Sequence, residues 1–366
     1  MKIAVICRPY SFHGGIETST AGFMRELVGH GHSVELITTV GQPEVPGVRV
    51  RRVPVLRHPS VLRVLSFALA ARRAVQDGGY AIVQSHERVF RQDIYRAGEG
   101  CHRAYLATMG RRWARANPHH RLILSLEKKI FSLETARHIV AISNHGKAEI
   151  EGLYATPAAR VSVVYNGVDL QRFHPDHRER LFTPVRRELG IGEDLWLVLF
   201  VGSGFERKGL GPLIEAVGRL GDRGCRLVVA GKGDRRPYRA LAERLGLAER
   251  IHWAGAVQAI ERLYAAADVV ALPARYEPFG NVHLEALASG LPVLTSAAAG
   301  GAEVIRNGEN GWIVSEPQPE AIAKGLEELR AADAGGLRVR ARASAEPFTF
   351  GAQADRYAAL YRRLGA

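Results

Sequence analysis

Cysteine is scarce in this chain. Only Cys7, Cys101 and Cys225 occur, scattered and odd in number. That excludes a disulfide framework and a zinc spacing, and it points to a reducing compartment. No cluster of metal-ligating residues appears elsewhere, so no metal is expected. Long apolar runs are also missing, and no stretch nears the roughly 20 residues a membrane-spanning helix needs. The opening MKIAVICRPY carries an apolar run too short for a secretory signal, so a cytosolic protein is expected. No internal repeat or low-complexity tract interrupts the chain. Acid is short relative to base: 37 Asp and Glu stand against 50 Lys and Arg, a net charge of +13. Residues 1–180 hold 26 Lys and Arg against 15 Asp and Glu, and the remaining residues hold 24 against 22. An Arg-rich composition alone does not explain that asymmetry. The excess suits nucleic acid, an anionic membrane face or an anionic acceptor. No nucleic-acid recognition motif accompanies it, so no nucleic-acid partner is expected.

What is present is material for two ordinary domains. The 366 residues are 46% hydrophobic and 24% charged, as in soluble globular proteins. Strand and helix patterns alternate. KIAVICRP, SVELITTV, AIVQS, HIVAIS and VSVVYN read as strands in the first half. WLVLFVG, RLVVAG, RIHWAG, VVALPA and PVLTS do so in the second, separated by helical patterns such as LGPLIEAVGRL and AIERLYAAA. This predicts an α/β chain with parallel sheets covered by helices. The restart near residue 195 predicts two such units. The polar stretch DLQRFHPDHRERLFTP reads as the linker between them.

The segment EPFGNVHLE carries the most chemical information. Glu277 and Glu285 stand eight positions apart, with the breakers Pro278 and Gly280 between. This predicts a loop holding Glu277 and a helix starting near Asn281 that carries Glu285. A helix start suits a phosphate, and carboxylates suit neutral hydroxyls, so a sugar nucleotide fits both. A solvated loop-to-helix junction fits the pattern as well. VGSGFERKGLGPLIEAV reads as strand, glycine-rich loop and helix. It departs from the dinucleotide fingerprint at Arg207 and lacks the later acidic residue, since the next strand ends in Ala230-Gly231. It is no Walker loop, because Lys208 precedes its glycine. It does offer two adjacent cations, Arg207 and Lys208, able to hold a diphosphate and neutralise it as it leaves. His13-Gly14-Gly15-Ile16 follows the first strand and opens a helix, where glycines permit close backbone approach.

These segments, in this order and with VVYNGVDLQRFHP between them, resemble the retaining glycosyltransferases of family 4, which have the GT-B fold. The resemblance covers nearly the whole chain. It implies two Rossmann-like domains facing each other across a cleft. Residues 1–168 would be the acceptor-binding domain, joined by a crossing helix from 346–366, and residues 169–345 the nucleotide-sugar domain. It implies that Arg207 and Lys208 stabilise the leaving diphosphate and that Glu285 accepts the ribose hydroxyls. Glu277 would hydrogen-bond the transferred sugar. The N–H groups of Phe279, Gly280 and Asn281 would cap the sugar or its phosphate. Gly14 and Gly15 would sit over the diphosphate beside Gly202, with Glu17 facing the cleft, and Gly255-Ala256-Val257 would meet the base. Transfer would proceed with retention by front-face attack, without a metal or other cofactor.

The segment QDIYRAGEGCHRAYLATMGRRWARANPHHRLILSLEKKIF resembles one subgroup, the lipopolysaccharide core glucosyltransferase I enzymes. That implies UDP-glucose as donor and a core-oligosaccharide or other membrane-linked acceptor. Glu99 falls where those enzymes carry an aspartate near the acceptor, and His86 is a second candidate of the acceptor face. Residues 102–129 hold seven Lys and Arg against one Glu, among them Arg111, Arg112 and Arg115. Residues 57–74 are similar in character. Both stretches suit an anionic membrane surface, or ordinary helices packed on a sheet. A mannosyl- or N-acetylglucosaminyltransferase, a GT-B sugar-nucleotide epimerase, or a catalytically dead scaffold are the rival readings.

Overall fold

The computed structural model describes residues 1–9, 15–110, 114, 116–221 and 224–365, and the side chains of all of these except 15–19. Two compact units emerge. One holds the first strand, Ile16–Gly167 and the chain from Phe350 onward, and the other holds Val168–Thr349.

The first unit runs β1 (Lys2–Ile6), α1 (Gly15–Gly29), β2 (Ser33–Thr38), β3 (Arg49–Arg52), α2 (Ser60–Gln76), β4 (Ile82–Ser85) and β5 (Ile94–Arg96). It continues with α3 (His102–Thr108), α4 (Pro118–Phe131), β6 (His138–Ala141), α5 (Asn144–Tyr154) and β7 (Val161–Val163). Its sheet is parallel, in the order β3-β2-β1-β4-β5-β6-β7. β1 shows why a fully apolar strand belongs at the centre. Side chains alternate across a strand. Ile3 and Val5 pack with Phe23, Met24 and Leu27 of α1, while Ala4 and Ile6 pack with Phe67, Ala68 and Ala71 of α2. Both faces are covered, so both parities must be apolar.

The second unit begins with α6 (His177–Leu189), β8 (Trp196–Val201), α7 (Leu210–Arg219), β9 (Cys225–Ala230), α8 (Arg236–Arg244), β10 (Ile251–Gly255) and α9 (Ile260–Ala266). β11 (Val269–Leu272), α10 (Val282–Ala288), β12 (Val293–Ser296), β13 (Gly311–Val314), α11 (Pro319–Ala331) and α12 (Ala334–Ala345) complete it. Its six strands are parallel, in the order β10-β9-β8-β11-β12-β13. The last helix, α13 (Phe350–Gly365), returns to the first unit. Its Tyr357, Leu360, Tyr361 and Leu364 join the cluster that holds Ile3 and Val5.

In both sheets the strand order reverses beside the first strand, between β1 and β4 in one unit and between β8 and β11 in the other. Loops leaving the carboxyl ends of two such strands diverge to opposite faces and leave a crevice, the usual ligand position in open α/β sheets.

One expectation is corrected. The stretch read as a linker is half helical, because α6 begins at His177 and contains Pro184. Arg186 of this helix is only 1% exposed. It donates to the carbonyls of Ala266, Gly192 and Leu195 and to Asp268. A polar sequence is thus held by buried ionic contacts rather than by an apolar stripe.

Candidate functional site

The switch point of the second unit brings the predicted donor residues together. After β8 the backbone turns at Gly202, whose φ is 146°. A Cβ there would stand 2.5 Å from Cδ and 2.8 Å from Nζ of Lys208. Glycine is therefore needed for Lys208 to fold back over the strand end. The following loop is tied to the one leaving β11. The N–H of Arg275 donates to the Arg207 carbonyl at 2.8 Å, and Nη1 of Arg207 donates to the Tyr276 carbonyl at 2.9 Å.

Glu277 lies between these loops. Its Oε2 accepts from Nη1 of Arg207 and from Nζ of Lys208, each at 2.9 Å. Oε1 has no such partner among the described residues. Burial pushes this carboxyl up, but Lys208 and Arg207 outweigh burial and hold it below the usual carboxylate range. Two buried or half-buried cations thus share one carboxylate oxygen, and a net positive charge remains. An anion of higher charge fits there.

The turn after Glu277 is fixed by Gly280 and His283. Gly280 has φ +80°, and a Cβ would stand 2.9 Å from Nδ1 of His283 and 3.0 Å from Cγ of Glu277. Nδ1 of His283 lies 2.7 Å from the Gly280 carbonyl and Nε2 lies 2.8 Å from Oγ1 of Thr295. A carbonyl only accepts, so Nδ1 carries the proton and Nε2 faces the threonine hydroxyl, whose one proton is shared with the Leu272 carbonyl at 3.2 Å. Burial depresses the pKa of His283 to about 4, so the ring is neutral at physiological pH. Phe279 is fully buried and anchors the same turn. α10 starts at Val282, immediately after Asn281.

Glu285 sits one turn into α10 and is 7% exposed. Its Oε2 accepts from the Tyr264 hydroxyl of α9 at 2.8 Å, and Oε1 has no partner among the described residues. Burial raises this carboxyl above its usual range, against the pull of Tyr264 and Arg172. It is an acceptor with one oxygen held and one presented, as pairing with sugar hydroxyls requires. Val257 lies half-buried on the loop between β10 and α9, past the carboxyl end of the sheet's edge strand.

In the first unit the predicted residues follow β1, β4 and β5. Arg8 donates to Glu87 at 2.6 Å and to Glu99 at 3.2 Å, and Arg88 donates to Glu99 at 2.6 Å. Burial works to raise the Glu99 carboxyl, but Arg88 and Arg8 prevail and lower it. A carboxylate lowered in this way is a weaker general base and a good acceptor for hydroxyls. Arg88 also donates to the fully buried Glu127 at 3.0 Å, and Glu127 accepts the backbone N–H groups of His102 and Arg103 at the start of α3.

His86 is buried, with Nε2 2.8 Å from Nε2 of Gln84. The Tyr361 hydroxyl donates to Oε1 of that amide, so the amide nitrogen donates to His86 and the imidazole proton sits on Nδ1. Burial, and then Arg96, push the His86 pKa well below its ordinary value. This histidine offers an N–H donor rather than a base. Gly15 is the first residue of α1. Gly14, Arg111, Arg112, Arg115 and the side chain of Glu17 lie outside the described residues.

Tyr264, His283 and Thr295 were not singled out from the sequence. Tyr264 lies in an apolar helical run, where tyrosine reads as core, and Thr295 in a strand. His283 stands inside the EPFGNVHLE segment, and its place at one helical turn from Gly280 is the signal that could have marked it.

Comparison with known proteins bears on the family and the fold. Residues 182–346 match the family "Glycosyl transferases group 1" and residues 13–172 match "Glycosyltransferase Family 4". An uncharacterized glycosyltransferase of Methanocaldococcus jannaschii is 31% identical over 88% of this chain and 87% of its own. The lipopolysaccharide glucosyltransferase WaaG of Escherichia coli is 27% identical over 87% of this chain and 86% of its own. A solved structure of WaaG, a glycosyltransferase involved in lipopolysaccharide biosynthesis, superimposes with TM-score 0.85 at 24% identity, over 98% of this chain and 99% of that one. HepE of Anabaena, solved in complex with UDP-glucose, gives TM-score 0.75 at 19% identity, over 99% and 100% of the two chains.

Proposed function

The chain belongs to glycosyltransferase family 4 and has the GT-B fold, and we propose that it moves glucose from UDP-glucose to a lipopolysaccharide core or other membrane-linked glycan, with retention and without a metal. The observation that carries the donor side is the convergence of Arg207 and Lys208 on one oxygen of Glu277. When the glycosidic C–O bond breaks, negative charge builds on the departing diphosphate. Fixed cations interact more strongly with that charge in the transition state than in the ground state, and the difference is catalytic. Glu277 tempers the pair and keeps Oε1 for a sugar hydroxyl. Glu285, with Oε2 on Tyr264, takes the ribose hydroxyls.

For retention, Glu277 is a poor covalent nucleophile, since its charge is already shared by two cations. Front-face attack, with the leaving diphosphate taking the acceptor proton, then needs no further base. Among the described residues no group of three or more His, Cys, Asp or Glu is placed to hold a metal ion, and the two cations supply the positive charge at the phosphates.

UDP and glucose are favoured because WaaG is described as a glucosyltransferase and HepE was solved with UDP-glucose. The membrane reading is supported by α2, where Leu62 and Leu69 are 41% and 44% exposed beside exposed Arg63, Arg72 and Arg73. No helix among the described residues is long and apolar enough to cross a membrane.

The donor reading is tested by thermal unfolding with UDP, GDP, ADP and their sugar conjugates. A selective shift with UDP and UDP-glucose is expected. Arg207→Ala and Lys208→Ala should each slow transfer by roughly 100-fold or more while the protein still folds. A shift with GDP-mannose alone would discard the glucose assignment, and wild-type turnover in both variants would remove them from the leaving-group role. Consumption of UDP-glucose without any acceptor would favour the epimerase.

A further inference from the structure

The loop after β9 carries a cation that the proposed donor chemistry does not use. It reads Gly231-Lys232-Gly233-Asp234-Arg235 before α8 begins at Arg236. The loop is bound to the end of the neighbouring strand, because the N–H of Gly231 donates to the Gly255 carbonyl at 2.6 Å. The Arg235 carbonyl accepts the N–H groups of Tyr238 at 3.1 Å and Arg239 at 2.9 Å. The first turn of α8 therefore fixes the Arg235 backbone. Asp234, the acid beside it in sequence, is turned to Arg236. Its Oδ1 accepts from Nε at 2.9 Å and its Oδ2 from Nη2 at 2.7 Å.

The half-buried Arg235 guanidinium lies against the end of β10. A Cβ on Gly255 would stand 2.7 Å from Nη2 and 3.8 Å from Cζ. Nη2 is the nearest atom and the rest of the group lies behind it. The guanidinium thus meets this backbone with an N–H edge rather than with its flat face. Glycine at 255, where φ is +75°, is what admits it. A side chain there would displace the guanidinium.

In the proposed donor site this corner takes the base. With the diphosphate on Arg207 and Lys208 and the ribose on Glu285, the base extends from the ribose away from the phosphates. The Tyr264 hydroxyl ties Glu285 to α9 at 2.8 Å, and the chain enters α9 through the loop that leaves β10. β9 and β10 are paired in the sheet. The loops after both stand at its carboxyl edge, where open α/β sheets bind ligands.

A guanidinium has donors and no acceptor. Its N–H edge suits a base that presents a carbonyl oxygen and opposes one that presents an amino group. Uracil carries a carbonyl where cytosine carries an amino group, on rings of the same size, and guanine and adenine differ in the same way. We infer that Arg235 selects the base of the nucleotide sugar by donating to a ring carbonyl, so that uracil is held and cytosine and adenine are refused. This rests on the proposed donor site and deepens it. Ring size cannot separate uracil from cytosine, and the donor at Arg235 can.

The test is isothermal titration of the full chain with UDP, CDP, GDP and ADP at one ionic strength. The wild type should bind UDP roughly tenfold or more tightly than CDP, as expected for one charge-assisted hydrogen bond made to the first base and not to the second. Arg235→Met should weaken UDP by about that factor and leave CDP within about twofold, so that the two affinities converge. Lys232→Met removes an exposed cation of the same loop and should keep the wild-type ratio of UDP to CDP. Equal weakening of UDP and CDP in Arg235→Met would place the guanidinium at the phosphates and overturn the inference. A wild type that binds UDP and CDP alike or prefers an amino-bearing base would overturn it too, as would loss of the ratio in Lys232→Met. Preference for GDP over ADP, lost in Arg235→Met, would discard the uridine assignment and keep Arg235 as the residue that reads the base. Binding of none of the four would strike the donor reading itself, and this inference with it.

Discussion

At the scale of single residues, the two glutamates named from the sequence have opposite environments. Glu277 is held below its ordinary range by two cations, and Glu285 is pushed above it by burial. The spacing of EPFGNVHLE singles out both, and it could not show the difference, which depends on burial at Glu285 and on Lys208 and Arg207, far away in the chain, beside Glu277. His283 makes the local geometry pH-sensitive. Its folded pKa is depressed to about 4, so between about 6.5 and 4 the unfolded chain binds the extra proton. Stability is then complete above about pH 6.5 and falls as the pH drops toward 4. The effect of this one group is about 3 kcal/mol, from roughly 1.36 kcal/mol per unit. His283→Gln can keep contacts to Gly280 and Thr295 without titrating. Its stability, followed by denaturant unfolding across that range, should lose less on acidification than wild type. Parallel acid limbs would show that His283 does not titrate in this way.

Elements were legible in proportion to how they are stabilised. The strands found from sequence are mostly apolar runs, whether central like β1 and β8 or at an edge like β7 and β10. β3, RVRR, escaped because it is an edge strand built of charged residues, and β5, IYR, because three residues carry no period. β13, GWIV, is the short strand at one edge of the other sheet. The α6 helix escaped for a different reason. Pro184 interrupts its pattern, and its buried face is Val185 and Arg186, whose partners are backbone carbonyls and Asp268 outside the segment. No window of the sequence contains that stabilisation. Asp268 accepts from Arg186 at 2.6 Å and from Arg178 at 2.9 Å, and takes the N–H of Leu197 at 2.8 Å. Removing it leaves Arg186 buried with its charge unmatched, which typically costs 3–5 kcal/mol or about that much. Asp268→Ala should therefore lower the unfolding free energy of the second unit by this amount in a urea titration. A loss under about 1 kcal/mol, as for an exposed pair, would mean that carbonyl contacts alone hold α6.

At the scale of the whole molecule, charge and exposed apolar surface coincide. The first 180 residues hold 26 basic against 15 acidic side chains. Within them α2 divides its residues between two environments. Phe67, Ala68, Ala71, Ala74 and Val75 face the sheet, while Leu62 and Leu69, seven positions apart and hence on one side of the helix, are 41% and 44% exposed. Leu56, just before the helix, is 56% exposed. A soluble helix normally turns charge outward at such positions. Here leucines share the surface with Arg63, Arg72 and Arg73, the composition of an interfacial helix. At a lipid surface the two features would act together. Each leucine gains about 1.5–3 kcal/mol if fully buried, and each arginine about 1 kcal/mol near an anionic leaflet. Leu62→Ser with Leu69→Ser should therefore reduce co-sedimentation with vesicles of phosphatidylglycerol and phosphatidylethanolamine by roughly tenfold or more. The transition temperature should stay within a few degrees of wild type, because neither side chain is in the core. High salt should weaken wild-type binding further by screening the arginines. Undiminished co-sedimentation of the double variant would place lipid contact elsewhere in the basic half, and absence of vesicle binding in the wild type would assign the charge to the acceptor alone.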